Sequence, residues 1–266
     1  LEPKHCPNLK VDHKDYYDLI EAVEAIHGIK KVFIRSGIRF DYLMADPDDS
    51  FFRKLVRDNV SGQLKVAPEH CSAGVLSYMG KPDFSVYRRF REKFFDLCRE
   101  CGKEQYLVPY LMSSHPGSTL HDAIALALYL KRENLSPEQV QDFYPTPGTA
   151  STVMFATGID PFTGQKVYVA RDPREKRLQR ALLQYGKPEN APLVREALIA
   201  AHREDLIGTG KDCLVRPENT FKPQGKNQGR NQTQRNQKNS RPQKNAKNTK
   251  PAQNGQKNNK NNKKKR

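Results

Sequence analysis

Residues Gln63 to Gly74 read QLKVAPEHCSAG. A short apolar run, Leu64 to Ala67, breaks at Pro68-Glu69-His70 and loosens into small and polar residues. The pattern predicts a buried strand delivering a carboxylate and an imidazole to its carboxyl end, the edge where sheets built from strand-helix units hold ligands. Three other places repeat it. Lys31 to Ser36 (KVFIRS) ends in Gly37, with Arg39, Asp41 and Tyr42 just beyond. Gln105 to Met112 runs into Ser113-Ser114-His115-Pro116-Gly117, and Val140 to Tyr144 into Pro145-Thr146-Pro147-Gly148.

Helical periodicity lies between these strands. Tyr16, Leu19, Ile20, Val23 and Ile26 share one face of a helix over 15–27, which Gly28 would close as a left-handed cap. A second helix over 50–59 turns Phe51, Phe52, Leu55 and Val56 inward. A third, 84–101, repeats Val86, Phe90, Phe94, Leu97 and Cys101, and a fourth runs over about 120–134. Alternating strands and helices imply right-handed crossovers and a parallel sheet, or part of a barrel. Four units are too few to close a barrel, and an open first edge would be exposed. Further strands are therefore expected upstream.

After the fourth strand the pattern changes. Residues 152–156 and 166–170 flank Asp160-Pro161-Phe162-Thr163-Gly164, which predicts a hairpin with a long turn. Asp172-Pro173 opens a helix with a cap and a proline at the first position, carrying Leu178, Leu182 and Tyr185 as far as Gly186. A last helix covers about 192–205. The expected organisation is 1–150 for the strand-helix units, 151–220 for a hairpin and helical extension, and 221–266 for a tail.

The formal charge of +16 belongs to that tail. Residues 221–266 hold 15 Lys and Arg and no acid, which leaves the body nearly neutral. Being almost free of apolar residues, the tail cannot repay its ordering entropy and is expected to be disordered. It suits non-specific contact with RNA phosphates, and with Phe221 as its one aromatic it has few platforms for stacking bases. A solubilising extension is the alternative. The five cysteines form no evenly spaced disulfide framework, and no signal peptide or membrane span is visible. A reducing, cytoplasmic setting with no membrane partner is expected. The first residue is Leu rather than Met, which leaves open a processed or incomplete amino terminus.

The residues at the strand ends are Arg35, Ser36, Arg39, Glu69, His70, Ser113, His115 and Tyr144. On neighbouring parallel strands they share one rim, where a carboxylate, two imidazoles and two guanidinium groups can bind a zwitterionic ligand or exchange protons. The bland alternative is that each caps a helix or ties down a loop. Cys98-Arg99-Glu100-Cys101 is a lone CxxC at a helix end, read as structural because two further ligands are missing. No metal ligand set is assigned. Cys6, before Pro7, is suited to one ligand of a metal site whose partners would lie upstream.

Six stretches carry a resemblance: CPNL from Cys6, SGIRFDYL from Ser36, LKVAPEH from Leu64, GKEQYLVPYLMSSHPGST from Gly102, VQDFYPTPGTAST from Val140 and VREALIAAHREDLIGTGKDCLV from Val194. Over 6–217 the chain resembles the carboxyl-terminal part of the YgiQ-type (UPF0313) family of radical SAM proteins. The resemblance implies α/β architecture, the later half of a partial TIM-like (β/α)6 barrel with a small helical appendage. It also implies a [4Fe–4S] cluster and S-adenosylmethionine, which together generate a radical that takes hydrogen from a substrate. The family's CxxxCxxC motif holds the cluster and leaves one iron open to the cofactor.

No CxxxCxxC occurs among the five cysteines, so the cluster loop would lie before Leu1. The chain by itself is expected to bind no cofactor and to be inactive. By the resemblance Arg39, Glu69 and His115 are the preferred cofactor or substrate contacts, with no individual role assigned. The substrate is unidentified. The alternatives are a nucleic-acid-binding module acting through the basic tail, and a TIM-type hydrolase or lyase without a cluster.

Overall fold

A computed structural model describes residues 8–218. His5, Cys6 and the tail, with the readings placed on them, lie outside the described residues. Within them the protein is α/β, with one small open parallel sheet and nine α-helices.

Helix α1 (Lys14–Glu24) is followed by α2 (Phe40–Ala45) and α3 (Ser50–Lys54), and α3 widens into a π-helical turn, Leu55–Asn59. Strand β1 is Gln63–Glu69, followed by α4 (Ala73–Tyr78) and α5 (Phe84–Glu100). Strand β2 is Tyr106–Ser113, then come α6 (Leu120–Arg132) and a two-residue β3, Gln141–Asp142. Among the described residues these are followed by α7 (Ala150–Thr157), α8 (Pro173–Leu183) and α9 (Ala191–Ala200). The sheet order is β1-β2-β3 with both pairs parallel, as the crossover argument requires.

The core is aromatic. Phe40, Phe52, Phe84, Tyr87, Phe90 and Phe94 are all buried, and the Phe52 and Phe90 rings stack at 5.4 Å. Phe84 meets Tyr129 of α6 edge-on at 4.8 Å, which joins α5 to α6. Ring pairs in these geometries add to the area they bury. Lys54 reaches this interior only because Glu21 and Glu24 of α1 meet its ammonium, the latter at 2.7 Å.

Five expectations are corrected. Residues 31–36 are extended but form no strand, because their backbone pairs with the end of the π-helical turn instead of β1: Ile34 N–H donates to Asn59 O at 2.9 Å, and Asn59 Nδ2 donates to Val32 O. The strand expected over 140–144 shrinks to two residues, since Pro145 and Pro147 have no N–H for a ladder. Residues 150–157 are helix, not a hairpin arm. Thr149 caps them by accepting Thr152 N–H, and that local bond outweighs the weak strand preference of Thr and Val. The hairpin survives as one antiparallel bridge, Ile159 to Lys166, over a turn in which Asp160 accepts from Phe162 N–H and Thr163 Oγ1.

The first helix stops at Glu24, so Gly28 (φ +90) belongs to the following turn and not to the cap. On α5 the fully buried thiol is Cys98, with Cys101 half-buried. Helices α2 and α4 are too short for periodicity to reveal. The Asp172-Pro173 start of α8 is as read, with Asp172 accepting Arg174 N–H.

Phe90 is fully buried among four other rings. Phe90→Ala is expected to cost about 3–5 kcal/mol of unfolding free energy, read as a lower urea midpoint. An unchanged midpoint would refute this account of the core.

Candidate functional site

At the end of β1 the register with β2 shifts between Val66 and Glu69, and Glu69 takes a left-handed backbone (φ +64). Such backbone is costly for a residue with a side chain. Its carboxyl is mostly buried. Lys81 Nζ lies 3.6 Å from Oε1 and also donates to Ala67 O, while Oε2 is buried with no hydrogen-bond partner. Burial raises the Glu69 pKa, and the nearby Lys81 charge opposes that. The carboxyl is thus poised to take up a donor or a cation. Tyr110 of β2 feels its charge.

His70 is 1% exposed. Its Nδ1 accepts Ser72 N–H at 3.0 Å, and burial drives its pKa down to about 4. The charges facing it are Asp122 at the start of α6 and the His115 ring.

His115 lies in the loop after β2 and is 3% exposed. Its Nδ1 donates to Pro116 O at 2.8 Å, which leaves Nε2 to accept Ser151 Oγ at 2.8 Å from the start of α7. Phe143 meets the ring edge-on at 5.0 Å. Burial lowers this pKa to about 4 as well, so at neutral pH the ring is an uncharged proton acceptor.

The loop around His115 is tightly held. Ser113 Oγ donates to Asp142 of β3, and Arg180 of α8 pairs with the same carboxylate at 3.0 Å. Ser114 takes a left-handed backbone (φ +58), and its Oγ is buried and unpartnered. Gly117 (φ +90) admits no side chain, since a Cβ there would come within 2.3 Å of the Tyr78 ring.

The structure thus places Glu69, His70, Ser113 and His115 at the carboxyl ends of β1 and β2. The other four rim candidates are exposed. Arg39 pairs with Asp41 at 2.6 Å and lies over the Tyr42 ring, Arg35 and Ser36 face solvent, and Tyr144 is 76% exposed. Sequence reasoning did not single out Ser151 or Gln179. Neither sits at a strand end, and no local pattern marks them.

Among the described residues no group of three or more His, Cys, Asp or Glu could hold a metal ion. Cys71, Cys98, Cys101 and Cys213 are free thiols, and Cys98 bonds Gln105 inside the core. They do not fit an iron-sulfur cluster. No described helix is long and apolar enough to cross a membrane.

Residues 138–266 match the family model described as "Domain of unknown function (DUF3362)". Over 221 residues, 83% of the chain, the sequence is 58% identical to a UPF0313 protein of Clostridium perfringens (strain 13 / Type A). Over 213 residues, 80% of the chain, it is 60% identical to a UPF0313 protein of Clostridium botulinum (strain Okra / Type B1) and 59% identical to one from strain 657 / Type Ba4. Each match covers 33% of the relative, so the chain spans about a third of the length of the curated relatives it matches.

His70 and His115 both fold with pKa values lowered from 6.5 to about 4. Each therefore contributes stability that is complete above pH 6.5 and is lost as pH falls toward 4, on the order of 3 kcal/mol per ring. Urea midpoints should fall across that window, and the double variant His70→Asn, His115→Gln should flatten the fall. An equally steep fall in the double variant would assign the acid sensitivity to other groups.

Proposed function

We propose that this chain, a UPF0313-family sequence along four fifths of its length, supplies the later strands and one wall of the ligand cavity of a radical SAM enzyme acting on an unidentified substrate. The observation that carries the proposal is the orphaned Glu69 Oε2, buried at the carboxyl end of β1. A buried carboxylate oxygen without a donor is costly unless a ligand supplies one, and an ammonium or hydroxyl group meets that need.

The sheet supports the same reading. Parallel sheets bury both faces. Here Leu64, Val66 and Leu111 are buried, whereas Tyr106, Val108 and Tyr110 alternate along β2 as exposed residues. In the later half of a partial TIM-like (β/α)6 barrel, that second face would turn toward the barrel interior, covered by strands from the rest of the relatives' length.

In this role Glu69 receives the ligand's cationic or hydroxyl group, and the bound cation draws the carboxyl toward its ionised form. His115 accepts a proton or hydrogen bond at Nε2, in place of Ser151, and Arg39, which pairs with Asp41 here, would exchange that carboxylate for the ligand's. When bound, S-adenosylmethionine and a [4Fe–4S] cluster would supply the radical chemistry. The cluster's ligands are not among the described residues.

The test is anaerobic reconstitution of the full-length Clostridium perfringens relative with iron and sulfide, followed by reduction in the presence of S-adenosylmethionine. Formation of 5′-deoxyadenosine is expected, and Glu69→Gln at the matching position should weaken cofactor binding by about 10- to 100-fold. A folded, reconstituted protein that neither holds a cluster nor cleaves the cofactor would sink the proposal.

The composition of 221–266 favours a second, separable activity, non-specific RNA binding. Filter binding should show affinity for a structureless RNA that falls steeply between 50 and 200 mM salt, roughly the range over which released counterions dominate, and that disappears when 221–266 is deleted. Equal binding by the shortened chain would leave the tail without this role.

A further inference from the structure

Gln179 of α8 is 0% exposed and uses its whole amide on the loop that carries His115 and on its own helix. Its Oε1 accepts Ser114 N–H at 3.1 Å and Ser118 Oγ at 3.0 Å. Its Nε2 donates to Ser118 O at 2.9 Å and to Glu175 Oε1, one turn back on α8, at 3.1 Å. Only one orientation of the amide serves both the Ser114 donor and the Ser118 carbonyl, so those partners define which end is oxygen.

These bonds bracket His115 on both sides. Ser118 N–H closes the bracket by donating to His115 O at 2.9 Å, and Gly117 N–H donates to Tyr168 O at 2.7 Å. Tyr168 is itself tied to Glu175, so α8 and the residues before it grip the loop at three points. Ser114 holds a left-handed backbone, which relaxes unless its neighbours over-determine it.

We infer that Gln179 is the positioning residue that holds His115 with its Nδ1–H on Pro116 and its Nε2 facing Ser151 and the site. The inference rests on the proposed reading only in taking His115 as a site residue. It also gives the stretch matched as a domain of unknown function a physical role, because α8 within it supports the strand-end loop from behind. Without the amide, Ser114 N–H and Ser118 O would be buried and unpaired, and the loop would open to find water. His115 would then lose both ring partners and its shelter. His115 and His70 feel each other's charge, and His70 also feels Asp122.

The experiment is a pH titration of the ligand-free chain, labelled with 15N-histidine, in which the ring nitrogens report tautomer and protonation. The parent should show His115 as a single Nδ1–H tautomer titrating near 4. In Gln179→Leu, which has no amide to offer, the tautomers should mix and the titration should move from about 4 toward 6.5, while His70 stays at its parent value. His115 signals identical to the parent would overturn the inference. Should Gln179→Leu fail to fold, Gln179→Asn keeps a neutral amide but withdraws it by one methylene, and the same two outcomes decide. The readout needs no cofactor, so failure to cleave S-adenosylmethionine would leave this inference standing, and an unmoved His115 would leave the enzyme reading standing.

Discussion

A buried polar loop persists only if most of its donors and acceptors find partners, and the loop from Ser113 to Ser118, Ser114 Oγ apart, draws its partners from elements distant in sequence. Asp142 of β3 takes the Ser113 hydroxyl, Ser151 of α7 meets the His115 ring, Gln179 of α8 spans Ser114 and Ser118, and Tyr168 receives Gly117. The Tyr78 ring fills the space that any side chain at position 117 would need. Breaking one of these contacts leaves a donor or acceptor without water or partner, which costs more than the contact itself contributes. Strand β3 and helices α7 and α8 therefore each contribute a partner to one loop after β2.

The other organising feature is one-sidedness. Helices α5 and α6 press the aromatic core against one face of β1 and β2, and the side chains on that face are buried. On the other face Tyr106, Val108 and Tyr110 stand exposed along β2, and of the three only Tyr110 neighbours Glu69. Among the described residues the sheet thus has one packed face and one on which Tyr106, Val108 and Tyr110 are exposed.

Helices α5, α6 and α8 were legible as apolar helical stretches, and α8 also from its Asp172-Pro173 start, where Asp172 accepts Arg174 N–H; the caps at Asp83 and Thr119 appear only in the structure. Strands β1 and β2 were legible as apolar runs that stop at Pro68-Glu69 and at a Ser-Ser-His-Pro-Gly stretch. The KVFIRS run misled because its strand preference is the kind of local signal that a partner must complete, and Asn59 took up its backbone groups before β1 could. The TAST segment misled in the opposite direction, since one threonine hydroxyl at a cap outweighed the residues that follow it.

For the site, the sequence by itself determined that Glu69 and His115 stand at strand ends, because a chain that alternates strands and helices has only one edge on which such residues can meet. It also determined that the positive charge gathers after residue 220, a property of composition alone. Only the tertiary structure decided that Glu69 keeps an oxygen without a partner, that both histidines are neutral, and that Ser151 and Gln179 surround His115. These depend on burial and on contacts between residues as many as 65 positions apart, and no local pattern records which distant side chain will satisfy a buried group.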